Sequence, residues 1–296
     1  MSVHQRIAIT GASGLIGTAL VGHLKAEGHT VQRLVRRAPV GADEVQWDPQ
    51  TGFVDLEPLR GVNAVIHLAG VGVGDKRWSK KYKSEILNSR LLGTTAIANA
   101  VTELKPQVFI SASAIGWYGE SGNRAVVETD RVGDDFLAAV CREWEAAADL
   151  AQDVRTVKIR TGLVLDPTGG ALGKMLPLFR LGLGGKLGNG KQWWSWITLH
   201  DQIRAMVFLM NSKLEGAVNL TSPNPVTNQE FTAALARTLK RPAIFPAPAF
   251  ALRAVLGGFS TEVLGSKKVI PKVLMDNNFE FDYPHVLAAL TALVDE

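Results

Sequence analysis

The residues Thr10–Gly17 read T-G-A-S-G-L-I-G, and they decide the fold of this chain. They follow the short apolar run Ile7–Ile9 and lead into an amphipathic stretch that extends to Gly28. This is the order of a strand, a glycine-rich turn and a helix. Because the first N–H groups of a helix have no partners within it and carry partial positive charge, such a turn is predicted to bind a pyrophosphate.

Each glycine of this turn has its own predicted role. Gly11 permits the tight bend, Gly14 lets a phosphate approach the backbone, and Gly17 lets helix and strand pack closely. A second strand, predicted at Thr30–Val35, favours a dinucleotide-binding turn over a helix cap with a packing glycine. The residues of the turn that are predicted to contact the dinucleotide are Gly11, Ser13, Gly14, Leu15, Ile16 and Gly17.

Composition excludes several classes of protein. The 296 residues are 46% hydrophobic and 20% charged, with a net charge of +4, which is typical of a folded globular chain. No long basic block alternates with aromatic residues, and no apolar run is long enough to span a bilayer, so neither nucleic acid nor a membrane is expected as a partner. The single cysteine, Cys141, excludes an internal disulfide, and no metal site is predicted. Without a signal-peptide pattern, a cytoplasmic location is expected.

Strands and helices are predicted to alternate along the first half of the chain. After Thr30–Val35, the predicted strands are Ala64–Leu68, Val108–Ser111 and Arg155–Arg160, and the helices between them are Ser79–Glu103 and Asp134–Ala151. This order predicts an α/β fold, a doubly wound parallel sheet of the Rossmann type with a smaller C-terminal lobe. We assign residues 1–164 to the dinucleotide-binding domain, to which 195–221 returns, and residues 165–194 and 222–296 to the small lobe.

Further motifs resemble a known superfamily. Together with the glycine turn, N-A-V-I-H-L-A-G at Asn63–Gly70 and F-I-S-A-S-A-I-G-W-Y-G at Phe109–Gly119 resemble the successive signatures of extended short-chain dehydrogenases/reductases. Four other stretches are similar to an atypical branch, the epimerase-family or nucleoside-diphosphate-sugar-epimerase-like proteins with their C-terminal domain: Ile159–Leu165, Leu181–Gln192, Trp196–Asp201 and Gly265–Lys272. The resemblance covers nearly the whole chain and implies a bound nicotinamide dinucleotide and a substrate lobe.

The end of the second strand predicts NADP rather than NAD. An acid there would accept hydrogen bonds from the ribose hydroxyls of NAD, but this chain has R-L-V-R-R at Arg33–Arg37. The resemblance places Arg36, directly after Val35, at the 2′-phosphate, where a charge-assisted hydrogen bond contributes about 1.5–3 kcal/mol. Arg37 would assist Arg36 or substitute for it. The alternative is a solvated basic turn.

The resemblance implies other cofactor contacts. Leu68, Ala69 and Gly70 would line the adenosine and ribose side, and Val164 would lie beside the nicotinamide. Arg90 stands where many extended members carry Asn, and we expect it to contact the cofactor, oriented by Glu85 five residues earlier. The alternative for these two residues is a surface ion pair on a helix.

The catalytic pattern of the superfamily is broken in this chain. Its chemistry rests on a Ser or Thr, a Tyr, and a Lys four residues after the Tyr, but here Leu137 and Cys141 stand at the last two places. The candidate catalytic residues are Ser113, as a hydroxyl donor to a developing oxyanion, and Tyr118, for which loop packing is the alternative. Since general acid–base catalysis contributes about 10²–10⁴-fold, the missing pair puts turnover in question.

Three functional interpretations follow. The first is an NADP-dependent oxidoreductase or epimerase-like enzyme that acts on an unidentified small molecule. The second is a non-catalytic NADP(H)-binding or sensor protein that acts through a partner. The third, a nucleotide-sugar epimerase with standard chemistry, is disfavoured by the missing Tyr and Lys. The aromatic cluster Trp193, Trp194 and Trp196 would either stack on a ligand or join the two lobes as core. Neither substrate nor oligomeric state follows from the sequence.

Overall fold

The computed structural model describes residues 4–295. Its strands are β1 Arg6–Thr10, β2 Thr30–Val35, β3 Glu44–Asp48, β4 Phe53–Val54, β5 Ala64–His67, β6 Val108–Ala114, β7 Ala125–Val126, β8 Thr156–Thr161, β9 Leu163–Asp166, β10 Trp193–Trp194, β11 Trp196–Thr198, β12 Gly216–Leu220, β13 Val226–Thr227 and β14 Lys268–Val269. Its α-helices are α1 Leu15–Ala26, α2 Lys80–Leu104, α3 Phe136–Ala148, α4 Gly170–Arg180, α5 Leu199–Asn211, α6 Asn228–Leu239, α7 Ala249–Leu256, α8 Ser260–Leu264, α9 Lys272–Asp276 and α10 Val286–Asp295.

Eight of these strands form one large sheet in the order β12-β8-β6-β5-β1-β2-β3-β4. All neighbours are parallel except β3 and β4 at the edge. The predicted α/β fold is therefore confirmed. The chain leaves β1 on one side for β2 and later returns to its other side as β5, which creates a topological switch point at the carboxyl ends of β1 and β5. Open α/β sheets bind their ligands at this point.

Alternate side chains of the central strands serve two separate cores. On β1, Ile7 and Ile9 point to the core formed with α1 and α5, which includes Leu24 and Met206. Ala8 points to the opposite core, formed with α2 and α3. All five of these residues are buried completely. Because both faces of the sheet are covered, the central strands β1 and β5 read as apolar runs, which is why the sequence predicts them well.

The strand β3, next to the edge of the sheet, has no counterpart among the predicted strands. Its residues E-V-Q-W-D carry two acids, yet Val45 and Trp47 alternate into the core while Gln46 is exposed. The parallel pairing of Arg33 with Glu44 fixes its register against β2. The strand is specified by this long-range pairing, because its own composition is poor in strand-forming residues.

A separate hydrophobic core lies between α4, α6 and α10, around Phe231 and Leu290. Trp196 is fully buried in this core, and the ring of Trp194 lies 5.2 Å from that of Phe231. Trp194 and Trp196 therefore pack in the core and do not stack on a ligand in this structure. Trp193 is half-buried beneath the ammonium group of Lys268, 4.0 Å from its ring.

The motif G-S-K-K-V-I-P-K at Gly265–Lys272 contacts the segment around β7. Strand β14 pairs with β7, and the N–H, the hydroxyl and the carbonyl of Ser266 all form hydrogen bonds with the loop before β7. Its N–H donates to Glu120 Oε2 at 2.8 Å, its hydroxyl to Gly122 O at 2.7 Å, and its carbonyl accepts from Ser121 N at 2.9 Å. The motif therefore has a structural function. Within residues 4–295, no helix combines the length and apolar character that a membrane span requires.

Candidate cofactor and active site

The three glycines of the first turn differ in what the fold requires of them. Gly11 has a φ of +68°, and a Cβ there would lie 2.8 Å from the carbonyl carbon of Leu68. A Cβ on Gly17 would lie 2.1 Å from Gly11 O. Gly14, by contrast, is extended, and the nearest atom to its Cβ would be Gly11 O at 3.4 Å. Gly11 and Gly17 are thus needed for packing, whereas the space beside Gly14 faces out of the protein.

Helix α1 begins at this turn with free donors. Gly14 is its N-cap and supplies no side-chain hydrogen bond. Within residues 4–295, the N–H groups of Leu15, Ile16 and Gly17 have no partner. They lie at a cleft of about 370 Å³, whose lining includes all three glycines of the turn. Uncapped N–H donors beside an open glycine fit a pyrophosphate.

The remainder of the cleft is apolar with few polar groups. Its walls continue past the glycine turn with Leu68, Ala112, Ser113, Trp144, Ile159, Thr161, Gly162, Leu163, Val164, Gly170 and Ala171. Among the described residues that line the cleft, no side chain is a carboxylic acid, a base or a thiol. The buried indole N–H of Trp144 has no partner among the described residues, so the wall offers an unused donor. Ser13 lies outside this cleft and lines a neighbouring cavity with Gly14 and Leu15.

The ends of β1 and β5 are tied together beneath the cleft. The hydroxyl oxygen of Thr10 accepts from the N–H groups of Leu68 at 3.1 Å and Ala69 at 3.3 Å. That hydroxyl lies 2.7 Å from Nδ1 of His67. Because its oxygen already accepts two N–H groups, its own proton is directed at Nδ1, and an uncharged ring then carries its proton on Nε2. Complete burial lowers the pKa of His67 to about 3. His67 is therefore a neutral, structural residue.

The two arginines of the basic turn after β2 differ in their contacts. Arg36 is exposed, and the structure, over residues 4–295, gives its side chain neither a hydrogen bond nor an ion pair. Arg37 donates to both carboxylate oxygens of Glu44, at 2.6 and 2.7 Å. The guanidinium of Arg37 is thus already engaged within the protein, and its predicted role of assisting Arg36 or substituting for it stays a prediction. Val35, the last residue of β2, is half-buried beside this turn.

Arg90 is held without help from Glu85. Its guanidinium donates to Val71 O at 3.0 Å and Ile86 O at 3.1 Å and stacks 4.8 Å from the Trp144 ring. Glu85 is exposed and lies 3.8 Å from Lys76 instead. The predicted orientation of Arg90 by Glu85 is wrong, since five residues advance a helix by about 500°, which leaves the two side chains about 140° apart.

Arg90 nonetheless borders the predicted cofactor site. A Cβ on Gly70 would lie 3.5 Å from Arg90 Cζ, so a larger residue at position 70 would press on the guanidinium. Burial lowers the pKa of Arg90 from its usual range, and no carboxylate among the described residues pairs with it. A half-buried guanidinium without an acid partner fits an anionic ligand.

Ser113 belongs to a buried ionic network that was not predicted. Its hydroxyl donates to Glu145 Oε1 at 2.7 Å. Arg160 donates to both oxygens of the same carboxylate, at 2.8 and 2.9 Å, and stacks 3.8 Å from the Trp117 ring. In this structure the hydroxyl proton is directed at Glu145, and donation of that proton to an oxyanion stays a prediction. What Ser113 offers to the cleft is a hydrogen-bond acceptor.

Tyr118 is the second predicted catalytic residue, and the structure removes it from the cleft. It is 4% exposed, and its hydroxyl donates to Asn219 Oδ1 at 2.6 Å and accepts from Arg160 at 3.1 Å. Burial raises the pKa of Tyr118 to about 12. Tyr118 does not line the cleft and is engaged by Asn219 and Arg160, which favours its packing role.

Leu137 and Cys141, which the resemblance places at the positions of the Tyr and Lys, pack against the turn after β6. A Cβ on Gly116 would lie 3.2 Å from Leu137 Cβ and 3.4 Å from Cys141 Sγ, so helix α3 rests directly on the turn after β6. Cys141 is buried, its thiol lies 3.6 Å from Ala114 O, and burial raises its pKa to about 12. The thiol is protonated and inert.

A signal for the ionic network was present in the sequence. The strand Thr156–Thr161 carries two cations, Lys158 and Arg160, and the helix Phe136–Ala148 carries Glu145 directly after the apolar Trp144. A charge inside an apolar element is rarely tolerated without a partner. An ion pair between Glu145 and Arg160 could have been predicted from these buried charges. No feature of the neighbouring sequence predicts that Ser113 joins them.

A second cluster of charged residues lies away from the cleft. His200, Asp201 and Asp282 are close enough to share an ion. Asp201 already accepts from Arg204 at 3.0 Å and from the N–H groups of Asp282 and Tyr283, each at 3.0 Å. Arg204 also pairs with Asp282 at 3.2 Å. The carboxylates are thus engaged by hydrogen bonds and by the guanidinium of Arg204.

The comparisons with known proteins agree with this geometry. Residues 7–221 match the NAD dependent epimerase/dehydratase family, and residues 247–293 match a domain of unknown function, DUF1731. The chain belongs to the NAD dependent epimerase/dehydratase family, and the predicted resemblance is confirmed.

Within this family, the chain is similar to proteins from distant organisms. It is 43% identical to an epimerase family protein of Mycobacterium leprae over 96% of this chain and 94% of the relative. It is 36% identical to the epimerase family protein SDR39U1 of Bos taurus over 98% and 100%. The crystal structure of human SDR39U1 (isoform2) with NADPH matches with a TM-score of 0.91 and 32% identity, over 98% of this chain and 99% of that one.

A second solved structure is larger than this chain. The nucleoside-diphosphate sugar epimerase of Corynebacterium glutamicum matches with a TM-score of 0.81 and 34% identity. The match covers 99% of this chain but 59% of that protein.

Proposed function

We propose that this chain is an NADP(H)-binding oxidoreductase or epimerase-like enzyme that acts on an unidentified small molecule. The observation that carries the proposal is the uncapped N-terminus of α1 beside Gly14, which opens into a cleft that continues to Ser113. The human relative that was crystallised with NADPH supports the same ligand.

Named residues of this chain would hold the cofactor. The N–H groups of Leu15, Ile16 and Gly17 would bind the pyrophosphate, and Arg36 would bind the 2′-phosphate. Val164 and Ile159 would pack against the nicotinamide half. When bound, NADP(H) supplies or accepts the hydride.

Ser113 would orient the reacting ligand. Because its hydroxyl proton points to Glu145, its free lone pairs accept a hydrogen bond from a ligand hydroxyl or amide. The described lining of the cleft provides no titrating side chain, so a proton that leaves or enters the ligand would travel through water.

This same absence favours a second candidate function. A cleft that binds the dinucleotide but carries no acid or base suits a non-catalytic NADP(H)-binding or sensor protein that acts through a partner. The missing general acid–base catalysis corresponds to about 10²–10⁴-fold in rate, enough to make turnover slow or negligible.

One experiment separates the two candidates. NADPH binding is measured by fluorescence titration of the native chain, and NADPH oxidation is then screened across carbonyl compounds. Binding that weakens in Arg36→Ala, more for NADPH than for NADH, supports the cofactor site. Turnover that falls in Ser113→Ala but not in Ser111→Ala, its buried neighbour on the same strand, supports the enzyme. Binding without turnover supports the sensor, and no binding of either dinucleotide excludes both.

A further inference from the structure

The fold brings an acid to the turn after β2, although the sequence shows none there. Glu44 begins β3 opposite Arg33, and its side chain is 4% exposed. Besides Arg37, it accepts from Val40 N at 2.9 Å. In dinucleotide-binding folds, an acid near the end of the second strand accepts the ribose hydroxyls of NAD. An unmasked Glu44 would also repel a 2′-phosphate.

Arg37 cancels this charge. Its two terminal nitrogens meet the two oxygens of Glu44, the fork-to-fork geometry that gives strong, directional pairs. These hydrogen bonds lower the pKa of Glu44 to about 2, so its carboxylate is ionised at neutral pH and the cancellation is permanent. Arg33 adds a weaker contact to Glu44 at 3.2 Å, but it is shared with Asp43 at 3.0 Å.

The same pair shapes the turn. Arg37 also donates to Ala38 O at 2.9 Å, and the bond from Val40 N closes residues 37–44 over the Glu44 carboxylate. Lys25, Arg33 and Arg37 are paired with Asp43 and Glu44. Arg36 is therefore the cation of the 33–37 stretch that remains unpaired among the described residues.

We propose that Arg37 and Glu44 are positioning residues for NADP(H) selectivity: their ion pair masks the acid and holds the turn so that Arg36 faces the 2′-phosphate. This inference rests on the proposed function, because it concerns the same cofactor. Arg37 acts through Glu44 and Arg36 and does not touch the phosphate itself.

The test is a double-mutant cycle in which the affinities for NADPH and NADH are measured. NADPH and NADH are titrated by fluorescence against the full native chain, Arg37→Ala, Glu44→Gln and the double variant, and 2′,5′-ADP and ADP compete to isolate the phosphate. Arg60→Ala is the matched control, since it breaks an exposed Arg–Glu pair at 2.8 Å elsewhere. It should leave both affinities unchanged.

The expected pattern follows from the charges. Arg37→Ala lowers the ratio of NADPH to NADH affinity by about five- to tenfold, the effect of one charge near a phosphate in a mostly aqueous setting. Glu44→Gln raises the ratio, by about threefold, and the double variant recovers most of the loss. The differences shrink in high salt because the exposed charges are screened.

Other outcomes overturn the inference. An unchanged ratio in Arg37→Ala would do so, and so would equal losses for NADPH and NADH, which would leave the pair a purely structural role. If Arg37→Ala does not fold, Glu44→Gln decides alone, because it keeps the shape and removes the charge. A ratio that stays the same or falls in that variant refutes the masking. A native chain that binds neither dinucleotide overturns the proposed function, and this inference with it.

Discussion

Ser113 and Glu145 share one proton across 2.7 Å, with the serine as donor. This hydrogen bond joins the end of β6 to helix α3. The Glu145 carboxylate also accepts two hydrogen bonds from Arg160. The serine that the family resemblance identifies as catalytic thus donates its hydrogen bond to one member of a buried ion pair. Its orientation depends on two residues that lie far from it in sequence.

Removing one partner of this ion pair should destabilise the fold strongly. Glu145→Gln leaves the guanidinium of Arg160 buried without a counter-charge, and we expect the free energy of unfolding to fall by about 3–5 kcal/mol. Urea denaturation followed by circular dichroism measures it. The double variant Glu145→Met with Arg160→Met should recover most of the loss, because an apolar pair has no charge to desolvate.

An exposed pair on the same helix provides the control. Arg142 and Glu143 lie 3.1 Å apart and are both about half exposed, so Arg142→Ala should change stability by no more than about 0.5 kcal/mol. A Glu145→Gln variant as stable as this control would show that the buried pair contributes little.

Gly14→Val should abolish NADPH binding while the chain remains folded. The backbone of Gly14 is extended and its Cβ position is open, so the isopropyl group enters the cleft and not the core. Fluorescence titration measures binding, and circular dichroism checks the fold. Gly22→Ala, at a position of α1 where a Cβ meets nothing within 4 Å, is the matched control. Native affinity in a folded Gly14→Val chain would exclude a phosphate at this turn.

Stability should decrease as the pH falls below about 6.5 because of His67. Its folded pKa of about 3 lies below the unfolded value, so between these values the unfolded chain binds a proton that the folded chain does not. The contribution of His67 is complete above pH 6.5 and is lost towards pH 3, at up to about 1.4 kcal/mol per pH unit.

Denaturation midpoints between pH 7 and pH 5 measure this slope. That range lies above the window in which Asp43 and Glu44, with pKa values of about 2, take up protons. His67→Asn keeps an acceptor for the Thr10 hydroxyl and removes the titration, so its slope should be flatter. An identical slope in the variant would assign the acid sensitivity to other groups.

Cys141 should resist thiol reagents in the native state. Its pKa of about 12 and its burial leave almost no thiolate at pH 8, and access requires the α3 contact with Gly116 to open. Reaction with an aromatic disulfide reagent should therefore be slow in buffer and complete within minutes in denaturant. Rapid native modification would indicate a reactive thiol and a different arrangement of the site. Cys141→Ser should also leave any turnover within a few-fold of native.

Much of the fold follows from local sequence. The predicted strand Thr30–Val35 agrees with β2, and the predicted helix Ser79–Glu103 differs from α2 by one residue at each end, with Ser79 as its N-cap. These elements combine apolar periodicity with clear start signals. Strand β3 was missed because its stability comes from β2 and not from its own residues.

The site could be predicted only in part, for the same physical reason. The roles of Gly11 and Gly17 depend on backbone geometry within a few residues, which spacing encodes. The network of Ser113, Glu145 and Arg160 and the masking of Glu44 depend on contacts between separate elements. Helical phase was the other source of error, since Glu85 is on a different face from Arg90.

Helix α1 begins with three N–H groups that the described part of the protein leaves without partners. Such an end frays, and its amide hydrogens exchange with solvent long before those of the buried turns that follow. A bound pyrophosphate would accept hydrogen bonds from these amides and anchor the helix at that end. Binding of the dinucleotide would therefore order the backbone at Leu15, Ile16 and Gly17. A partner protein would then meet a different surface in the free and in the bound state.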